Sequence, residues 1–324
     1  MRVLVTGGAG FIGSHLVDRL VSEGFTVRVV DNLSSGRIDY IKRHVDSGRV
    51  EFVLGDLKDS FVAMRAASNV DVVFHFAANP EVRLSSTSPE VHFNENILAT
   101  FNVLEAVRKL GVRELVFASS STVYGEPEDM LVDESAPLRP VSVYGASKAA
   151  CESLIHAYSK LYGIRSVVLR YANVVGPRLR HGVIYDFINK LLSNPGELEV
   201  LGDGKQAKSY IYIVDAVEAT LIAWRRSNAY YDVFNVGSGD YVSVDEIADI
   251  VADVMGIDRP VKKYRPVLHG VGWPGDVKRI ALKIDKLRGL GFTPRMSSRE
   301  AVRETARRLL EEIVSEKGGA VKHI

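Results

Sequence analysis

Residues 6–13 read TGGAGFIG, and glycines stand at every third position of this run, namely Gly7, Gly10 and Gly13. The run follows the apolar residues 2–5, typical of a buried strand, and it opens an amphipathic helical pattern over residues 11–23. Glycines between a strand and a helix permit a tight turn and let the backbone approach a pyrophosphate, which the positive helix N-terminus attracts. An ordinary strand-to-helix turn is the alternative, but this context favours a dinucleotide-binding turn.

The first half of the chain alternates short apolar runs with helical patterns. The runs rich in β-branched residues are RVLVTG, TVRVVD, VEFVLGD, DVVFHFAA, ELVFASSS and SVVLRYAN. Helical patterns also span residues 89–110 and 144–162, and each is followed by a glycine. Strands that are apolar throughout are buried on both faces, and strands alternating with helices form parallel βαβ units. We therefore predict an α/β fold with a doubly wound parallel sheet of the Rossmann type.

The alternation loosens after residue 172, which suggests a second, smaller lobe. A chain of 324 residues exceeds the size at which a single core usually stops growing. We predict that residues 1–172 form the nucleotide-binding domain and that residues 173–324 mostly form a C-terminal substrate-binding lobe. Two segments between residues 209 and 238, SYIYIVD and YDVFNVGS, are expected to return to the sheet. Further helices are expected over 183–192, from 216, from 243 and over 298–316.

Composition excludes several classes of protein. Forty-one basic and forty acidic residues leave a net charge of +1, so neither nucleic acid nor an anionic membrane is an expected partner. No run of eighteen apolar residues predicts a membrane-spanning helix. The single cysteine, Cys151, fits a reducing cytoplasm, and the eight scattered histidines form no metal-binding motif. Gln206 is the only glutamine, a scarcity typical of proteins from hot environments.

Acidic residues end two of the predicted strands. Asp31 ends the second strand, where a carboxylate accepts hydrogen bonds from the adenosine ribose and repels a 2′-phosphate, which favours NAD over NADP. Arg37 follows six residues later and leaves NADP open as an alternative. Asp56 ends the third strand, where it would contact adenine or, equally well, cap a helix before Leu57 and Lys58.

A tyrosine and a lysine lie one helical turn apart in VYGASKAA, residues 143–150. Tyr144 and Lys148 share a helix face, and a neighbouring cation favours the ionised form of an acid, so the pair could build a general base. The Y-x-x-x-K pattern is weak by itself. Residues 116–125, VFASSSTVYG, place three serines at the carboxyl end of a strand, where open α/β sheets bind ligands; capping of the strand end is the alternative.

Together with further motifs, these stretches resemble the extended short-chain dehydrogenase/reductase family, and within it the UDP-hexose 4-epimerases. The matching stretches, in family order, are TGGAGFIG, DNLSSG, GD at 55–56, HFAA at 75–78, Asn96 in FNENILAT, SSSTVYG, YGASK, RYANVVGPR, FNVGSG and GWPGD. They cover residue 3 to about residue 295.

The resemblance implies roles for individual residues. Tyr144 resembles the family's base, Lys148 the residue that holds the nicotinamide ribose and lowers the tyrosine pKa, and Ser120 the hydroxyl that binds the sugar. Ser121 and Thr122 are the near alternatives to Ser120. The residues that the resemblance places around NAD are Gly7, Gly10, Phe11, Ile12, Gly13, Asp31, Asn32, Leu33, Ser34, Ser35, Gly36, Asp56, Leu57, Phe76, Ala77, Ala78, Asn79, Asn96, Tyr144, Lys148 and Ala172. Those placed around the substrate are Ser120, Tyr144, Asn173, Leu201 and Lys208.

Two positions depart from the family pattern. Lys208 and Ser209 stand where relatives carry Arg-Asp, and Trp273 stands where an arginine contacts the diphosphate. Lysine is a flexible point charge, whereas arginine clamps phosphate oxygens with two parallel donors. Arg265 or Lys278 could serve the phosphates instead. Ile280 falls where relatives limit bulk at the sugar C2 substituent, and its size does not decide between a hydroxyl and an N-acetyl group.

The resemblance implies an NAD-dependent epimerase that inverts C4 of UDP-galactose or UDP-glucose through a transient 4-keto sugar. Related dehydratases carry acidic residues after the strand serines, whereas this chain carries Ser121 and Thr122, which favours epimerisation. Alternatives are an epimerase for UDP-uronates or UDP-N-acetylhexosamines, a net NAD-dependent oxidoreductase, and a non-catalytic NAD(P) sensor. The family also implies a homodimer in which helices 89–110 and 144–162 of two copies form a four-helix bundle.

Overall fold

The computed structural model describes residues 1–316. Its strands are β1 (Arg2–Thr6), β2 (Thr26–Asp31), β3 (Val50–Leu54), β4 (Val72–His75), β5 (Glu114–Ser120), β6 (Leu131–Val132), β7 (Arg165–Tyr171), β8 (Asn173–Val175), β9 (Glu197–Leu201), β10 (Ala207–Lys208), β11 (Tyr210–Tyr212), β12 (Tyr231–Val236), β13 (Val242–Ser243), β14 (Val261–Arg265) and β15 (Arg279–Leu282). Its α-helices are α1 (Phe11–Ser22), α2 (Lys42–Asp46), α3 (Ser60–Ala67), α4 (Glu90–His92), α5 (Ala99–Leu110), α6 (Val143–Tyr162), α7 (Val183–Ser193), α8 (Ile213–Arg226), α9 (Val244–Val254), α10 (Asp285–Gly289) and α11 (Ser298–Glu316). A π-helical segment, Phe93–Leu98, joins α4 to α5. Short 3-10 turns span Ile38–Tyr40, Val82–Ser86, Ser121–Tyr124 and Leu268–Gly270.

Seven strands form the large sheet, in the order β12-β7-β5-β4-β1-β2-β3, and all neighbours are parallel. The order reverses between β1 and β4, and open α/β sheets bind ligands in the crevice at such a point. The predicted fold class is confirmed.

Consecutive residues of the strands point to opposite faces of the sheet, and both faces are covered. Val3 and Val5 join the core beneath α1 and α8, whereas Leu4 joins the core beneath α3, α5 and α6. Burial on both faces explains why these strands are apolar throughout. A separate core in the second lobe packs α7, α9 and α11 together.

The two segments expected to return to the sheet go to different places. Tyr231–Val236 pairs with β7 and forms an edge of the large sheet. Tyr210–Tyr212 instead pairs with Asn173–Val175 in a two-stranded parallel sheet, so the expectation for SYIYIVD is wrong. The helix after it begins at Ile213, three residues before the expected start. Residues 317–324, assigned to the second lobe from the sequence, lie outside the described residues.

The second lobe contributes short strands beside the large sheet. A four-stranded sheet has the order β13-β10-β15-β6, and β14 pairs with β9. Through the first of these sheets, Lys208 lies next to Ile280, and Ala281 lies next to Leu131. None of the helices in the described part of the chain has the length and apolarity needed to cross a membrane.

Candidate active site

A cavity of about 670 Å³ lies at the carboxyl ends of the sheet strands, within the usual size range of small-molecule sites. It brings together most of the residues that the sequence assigned to the cofactor and the sugar. Those lining it are Gly7, Gly10, Phe11, Ile12, Gly13, Asp31, Asn32, Ser34, Ser35, Gly36, Asp56, Leu57, Phe76, Ala77, Ala78, Ser120, Tyr144, Lys148, Ala172 and Asn173. Leu33, Asn79, Asn96, Leu201 and Lys208 do not line it.

The glycine turn leaves room that any side chain would fill. Gly7 has a φ of +66°, and a Cβ there would lie 2.7 Å from the backbone nitrogen of Ala77. A Cβ on Gly13 would lie 2.1 Å from the carbonyl oxygen of Gly7. Gly10 precedes α1 with no side-chain cap, so the first amides of this helix face the cavity without a side-chain acceptor. This cradle fits a pyrophosphate at the helix N-terminus.

Asp31 ends β2 at the cavity, next to the glycine turn. Its carboxylate accepts hydrogen bonds from the backbone amides of Ala9 (3.0 Å) and Leu33 (2.8 Å). Burial raises the pKa of this carboxyl, and the two amides oppose that rise. A Cβ on Gly36 would lie 2.8 Å from Asp31 Oδ1, so the absence of a side chain keeps the carboxylate accessible. The residues present therefore fit NAD.

Arg37 and Asp56 had alternative interpretations. Arg37 also lines the cavity, with its guanidinium 5.7 Å from the centre of the Tyr40 ring. Asp56 does not cap the following helix, because Asp59 occupies that position and accepts from the amide of Phe61. Asp56 accepts instead from the amide of Lys58 at 2.9 Å and from the side chain of Asn32 at 3.2 Å.

The tyrosine, the lysine and a serine of the strand end meet in this cavity. Tyr144 is half-buried in the first turn of α6, and its backbone amide donates to Ser85 Oγ at 3.1 Å. Lys148 Nζ donates to the carbonyl oxygen of Ala118 at 2.7 Å and lies 6.0 Å from the centre of the Tyr144 ring. The Ser120 hydroxyl lies close enough to the Tyr144 phenol to favour the ionised form of the phenol and so to lower its pKa. Ser120 Oγ also accepts from Thr122 Oγ1 at 3.0 Å.

Burial dominates the ionisation of both groups. It raises the pKa of Tyr144 to about 12, and the nearby Ser120 hydroxyl opposes that rise. It lowers the pKa of Lys148 to about 8. That Lys148 lowers the tyrosine pKa stays a prediction: its ammonium donates to the Ala118 carbonyl and lies 6.0 Å from the centre of the phenol ring.

Asn79 and Asn96 lie behind the cavity wall and not in it. The side-chain oxygen of Asn96 accepts from the amide of Asn79 at 2.8 Å, and its nitrogen donates to Ser147 Oγ at 2.9 Å. The Asn96 side chain therefore connects the segment after β4 to α6. His75 is also structural, because its two ring nitrogens bond the hydroxyls of Thr6 (2.7 Å) and Thr100 (3.0 Å).

Leu201 and Lys208 lie outside the cavity, near the Gly272–Trp273 segment. A Cβ on Gly272 would lie 3.4 Å from the Cβ of Leu201. Lys208 Nζ bonds the buried Asp276 at 2.6 Å and lies 5.8 Å from the centre of the Trp273 ring. Ser209, the next residue, accepts through its backbone oxygen from the side chain of Asn173 at 3.2 Å. This contact links the segment of Lys208 to the cavity wall.

The alternative basic residues for the phosphates are differently placed. Lys278 bonds Asp203 at 2.8 Å, and Arg265 is largely exposed beside Glu199. Ile280 is buried in a small apolar core and does not line the cavity. The guanidinium of Arg83, which sequence reasoning missed, lies 5.7 Å from the centre of the Trp273 ring.

The same fold recurs in known proteins. The family model described as "NAD dependent epimerase/dehydratase family" matches residues 3–237. The chain belongs to this family. A member named putative UDP-glucose 4-epimerase, from Methanocaldococcus jannaschii, is 38% identical over 93% of this chain and 96% of its own. The prediction of an NAD-dependent enzyme of this type is confirmed.

Two solved structures of the family are similar over nearly the whole chain. A crystal structure of a UDP-galactose 4-epimerase is 54% identical, covers 97% of this chain and 100% of its own, and has a TM-score of 0.86. The UDP-glucose 4-epimerase of Thermus thermophilus, solved with NAD, is 37% identical, covers 96% and 99%, and has a TM-score of 0.85. The likeness extends through the second lobe.

One cavity residue lies in a family motif but had no role assigned from the sequence. In RYANVVGPR the sequence assigned only Ala172 and Asn173, yet Arg178 also lines the cavity and donates to Ser14 Oγ at 2.9 Å and to Asp18 at 2.8 Å. Arg178 thus ties the second lobe to α1 beside the glycine turn. The sequence signal that could have identified Arg178 was a positively charged residue directly after Gly-Pro at the end of a strand.

Proposed function

We propose that this protein is an NAD-dependent epimerase that inverts C4 of a UDP-hexose, interconverting UDP-galactose and UDP-glucose through a 4-keto sugar. The observation that carries the proposal is the meeting of Ser120, Tyr144 and Lys148 in a cavity that also holds the glycine turn and Asp31. The names of the family members that it resembles support the substrate class.

The reaction needs a base at the C4 hydroxyl and an arrangement that holds the sugar there. NAD, when bound, supplies the acceptor and later the donor of the C4 hydride. Tyr144 takes the hydroxyl proton as the carbon is oxidised, and Ser120, which lines the same cavity, holds the same oxygen. Lys148 contributes positive charge beside the tyrosine and a donor for the nicotinamide ribose. Tyr144 returns the proton after the keto sugar has turned over in its pocket.

Lys208 is proposed to contact the UDP diphosphate. Its ammonium is only partly exposed and is oriented by Asp276. Asn173 and Leu201 are proposed to contact the nucleotide sugar as well. This assignment divides the chain functionally, with residues 1–172 binding the dinucleotide and residues 173–324 mostly binding the substrate.

Incubation with UDP-galactose and NAD tests the function. Conversion to UDP-glucose without net NADH supports it, stoichiometric NADH indicates a net oxidoreductase, and no reaction favours a non-catalytic sensor. UDP-N-acetylhexosamines and UDP-uronates tested in parallel define the sugar, and calorimetry with UDP, dTDP and GDP defines the nucleotide. Tighter binding of GDP than of UDP would contradict the substrate class.

We also propose a cytoplasmic homodimer. The single cysteine is buried and free, which suits a reducing compartment. Apolar side chains remain exposed on α5 and α6, among them Phe101, Leu161 and Tyr162. A second copy that packs the same helices against these would bury them in a four-helix bundle.

A further inference from the structure

Three consecutive residues at the end of β5 lie beside three residues spaced four apart on α6. The Ala118 carbonyl oxygen accepts from Lys148 Nζ at 2.7 Å, and Ser119 Oγ donates to Glu152 Oε1 at 2.5 Å. Ser120 lies near Tyr144 in the cavity. Residues at i, i+4 and i+8 follow one face of a helix, so this face of α6 lies against the end of β5. The proposed reaction uses two of these three helix residues and leaves Glu152 without a role.

Glu152 is held by more than Ser119. Its carboxylate is buried and receives Arg170 of β7 through Nη2 at 2.7 Å and Nε at 3.1 Å. Arg170 Nη1 in turn donates to the Tyr124 hydroxyl at 2.9 Å. A buried carboxylate is stable only when it is paired and hydrogen-bonded, so these contacts fix its position. Since β7 neighbours β5, the pair joins α6 to two strands of the sheet.

We infer that Glu152 is a positioning residue for the proposed reaction: through Ser119 it holds the end of β5 in register with α6, so that Ala118 and Ser120 meet Lys148 and Tyr144. The inference rests on the proposed function. Deleting the Ser119–Glu152 contact removes the side-chain hydrogen bond that ties the end of β5 to α6. The position of Ala118 and Ser120 relative to Lys148 and Tyr144 then loses this constraint.

The negative charge of Glu152 has a second effect, on Lys148. Four titratable groups lie around Lys148: Tyr144, Cys151 and Glu152 from α6 and His75 from β4. A fifth, Arg170 from β7, contacts Glu152. Burial lowers the pKa of Lys148 to about 8, and Cys151 and Glu152 oppose that fall. His75 is neutral, because burial and Lys148 lower its pKa to about 3. Removing the Glu152 charge therefore moves the loss of the Lys148 proton to lower pH.

The variants Glu152→Gln and Ser119→Ala separate the two effects in a UDP-galactose epimerase assay over a range of pH. Glu152→Gln keeps the size of the side chain, and we expect kcat to fall about tenfold or more through misplaced groups. We also expect the alkaline limb of its kcat profile to move to lower pH. Ser119→Ala removes the hydrogen bond to Glu152, so we expect kcat to fall several-fold. It keeps the charge of Glu152, so we expect the alkaline limb and the KM to stay within about twofold of wild type.

Glu114→Gln is the matched control, because Glu114 stands at the other end of β5. It accepts from Arg165 Nη1 at 3.0 Å and from Trp224 Nε1 at 2.6 Å, a similar pairing far from the cavity. We expect this variant to lower thermal stability and to leave the pH profile unchanged.

The inference is overturned if folded Glu152→Gln retains the wild-type kcat and alkaline limb, or if Glu114→Gln shifts the limb equally. If Glu152→Gln does not fold, Ser119→Ala decides, and a wild-type kcat in that variant overturns the inference. If wild type epimerises UDP-galactose and the variants have the same kcat and alkaline limb, only the role of Glu152 is refuted, and the proposed function stands. A wild-type protein without this activity overturns the proposed function, and the inference with it.

Discussion

Burial opposes the proton transfer that Tyr144 is proposed to perform. With a pKa of about 12, this phenol keeps its proton at neutral pH, although the nearby Ser120 hydroxyl favours the phenolate. An added positive charge in the cavity favours the ionised form. We therefore expect the pKa of Tyr144 to fall when NAD⁺ binds.

Replacing Tyr144 by phenylalanine removes the base and leaves the ring. Because a positioned general base contributes on the order of 10²–10⁴ in rate, we expect kcat for UDP-galactose to fall at least about a hundredfold. The measurement is the rate of UDP-glucose formation, with circular dichroism and NAD content as controls for folding. Near-normal turnover would remove Tyr144 from the role of base.

Lys148 places function and stability in conflict. Its pKa falls from 10.5 in water to about 8 in the folded protein, so the unfolded chain binds the proton more tightly. Below pH 8 the side chain is charged in both states and the full penalty, roughly 3 kcal/mol, opposes folding. The penalty declines as the pH rises from about 8 towards 10.5, because the folded protein then loses the proton first.

Lys148→Met removes this penalty together with the ammonium. We expect the melting temperature at about pH 7 to rise, the gain to shrink towards about pH 10, and epimerase activity to be lost. Thermal unfolding of wild type and variant across this pH range measures the effect. A lower melting temperature of the variant at neutral pH would mean that the Ala118 hydrogen bond outweighs the burial of charge.

At the scale of elements, the turn between β1 and α1 tolerates no added carbon. A methyl group on Gly13 would lie 2.1 Å from the carbonyl oxygen of Gly7, so the turn has to open. We expect Gly13→Ala to weaken NAD binding at least about tenfold, or about 1.4 kcal/mol. Calorimetry with NAD measures the change. Gly289→Ala is the control, since a Cβ on this exposed helical glycine meets no atom within 4 Å, and equal NAD affinity of the two variants would contradict the argument.

The helix predicted over residues 89–110 shows where local pattern stops being informative. The apolar spacing predicted helix throughout, yet Phe93–Leu98 adopts π-helical geometry. Within that segment, the carbonyl of Asn96 accepts from Thr100 Oγ1 at 2.6 Å, and its amide group contacts Asn79 and Ser147. The last two partners are distant in sequence, so only packing against α6 selects the wider turn.

At the scale of the molecule, the exposed apolar residues of α5 and α6 support the proposed dimer. Leu161 is 73% exposed on α6, far more than a helix in contact with a neighbour would leave. We expect wild type to be a dimer by light scattering and Leu161→Glu to shift it towards monomer, because a buried unpaired charge is costly. Phe61→Glu is the control, since Phe61 is 75% exposed on α3, outside the proposed interface. A monomeric wild type, or equal dissociation of both variants, would contradict the bundle.

The sequence by itself determined the fold class, the glycine turn, Asp31 at a strand end and the Tyr144–Lys148 pair. Each of these depends on residues within a few positions of one another, where strand and helix periodicity fixes which side chains share a face. Only the tertiary structure decided that Tyr210–Tyr212 pairs with Asn173–Val175 outside the large sheet, that Lys208 lies beside Trp273, and that Ser119 meets Glu152. Even the nearest of these partners, Ser119 and Glu152, stand 33 positions apart in the chain. Such contacts form because burial of whole elements, not local spacing, sets how strands and helices align.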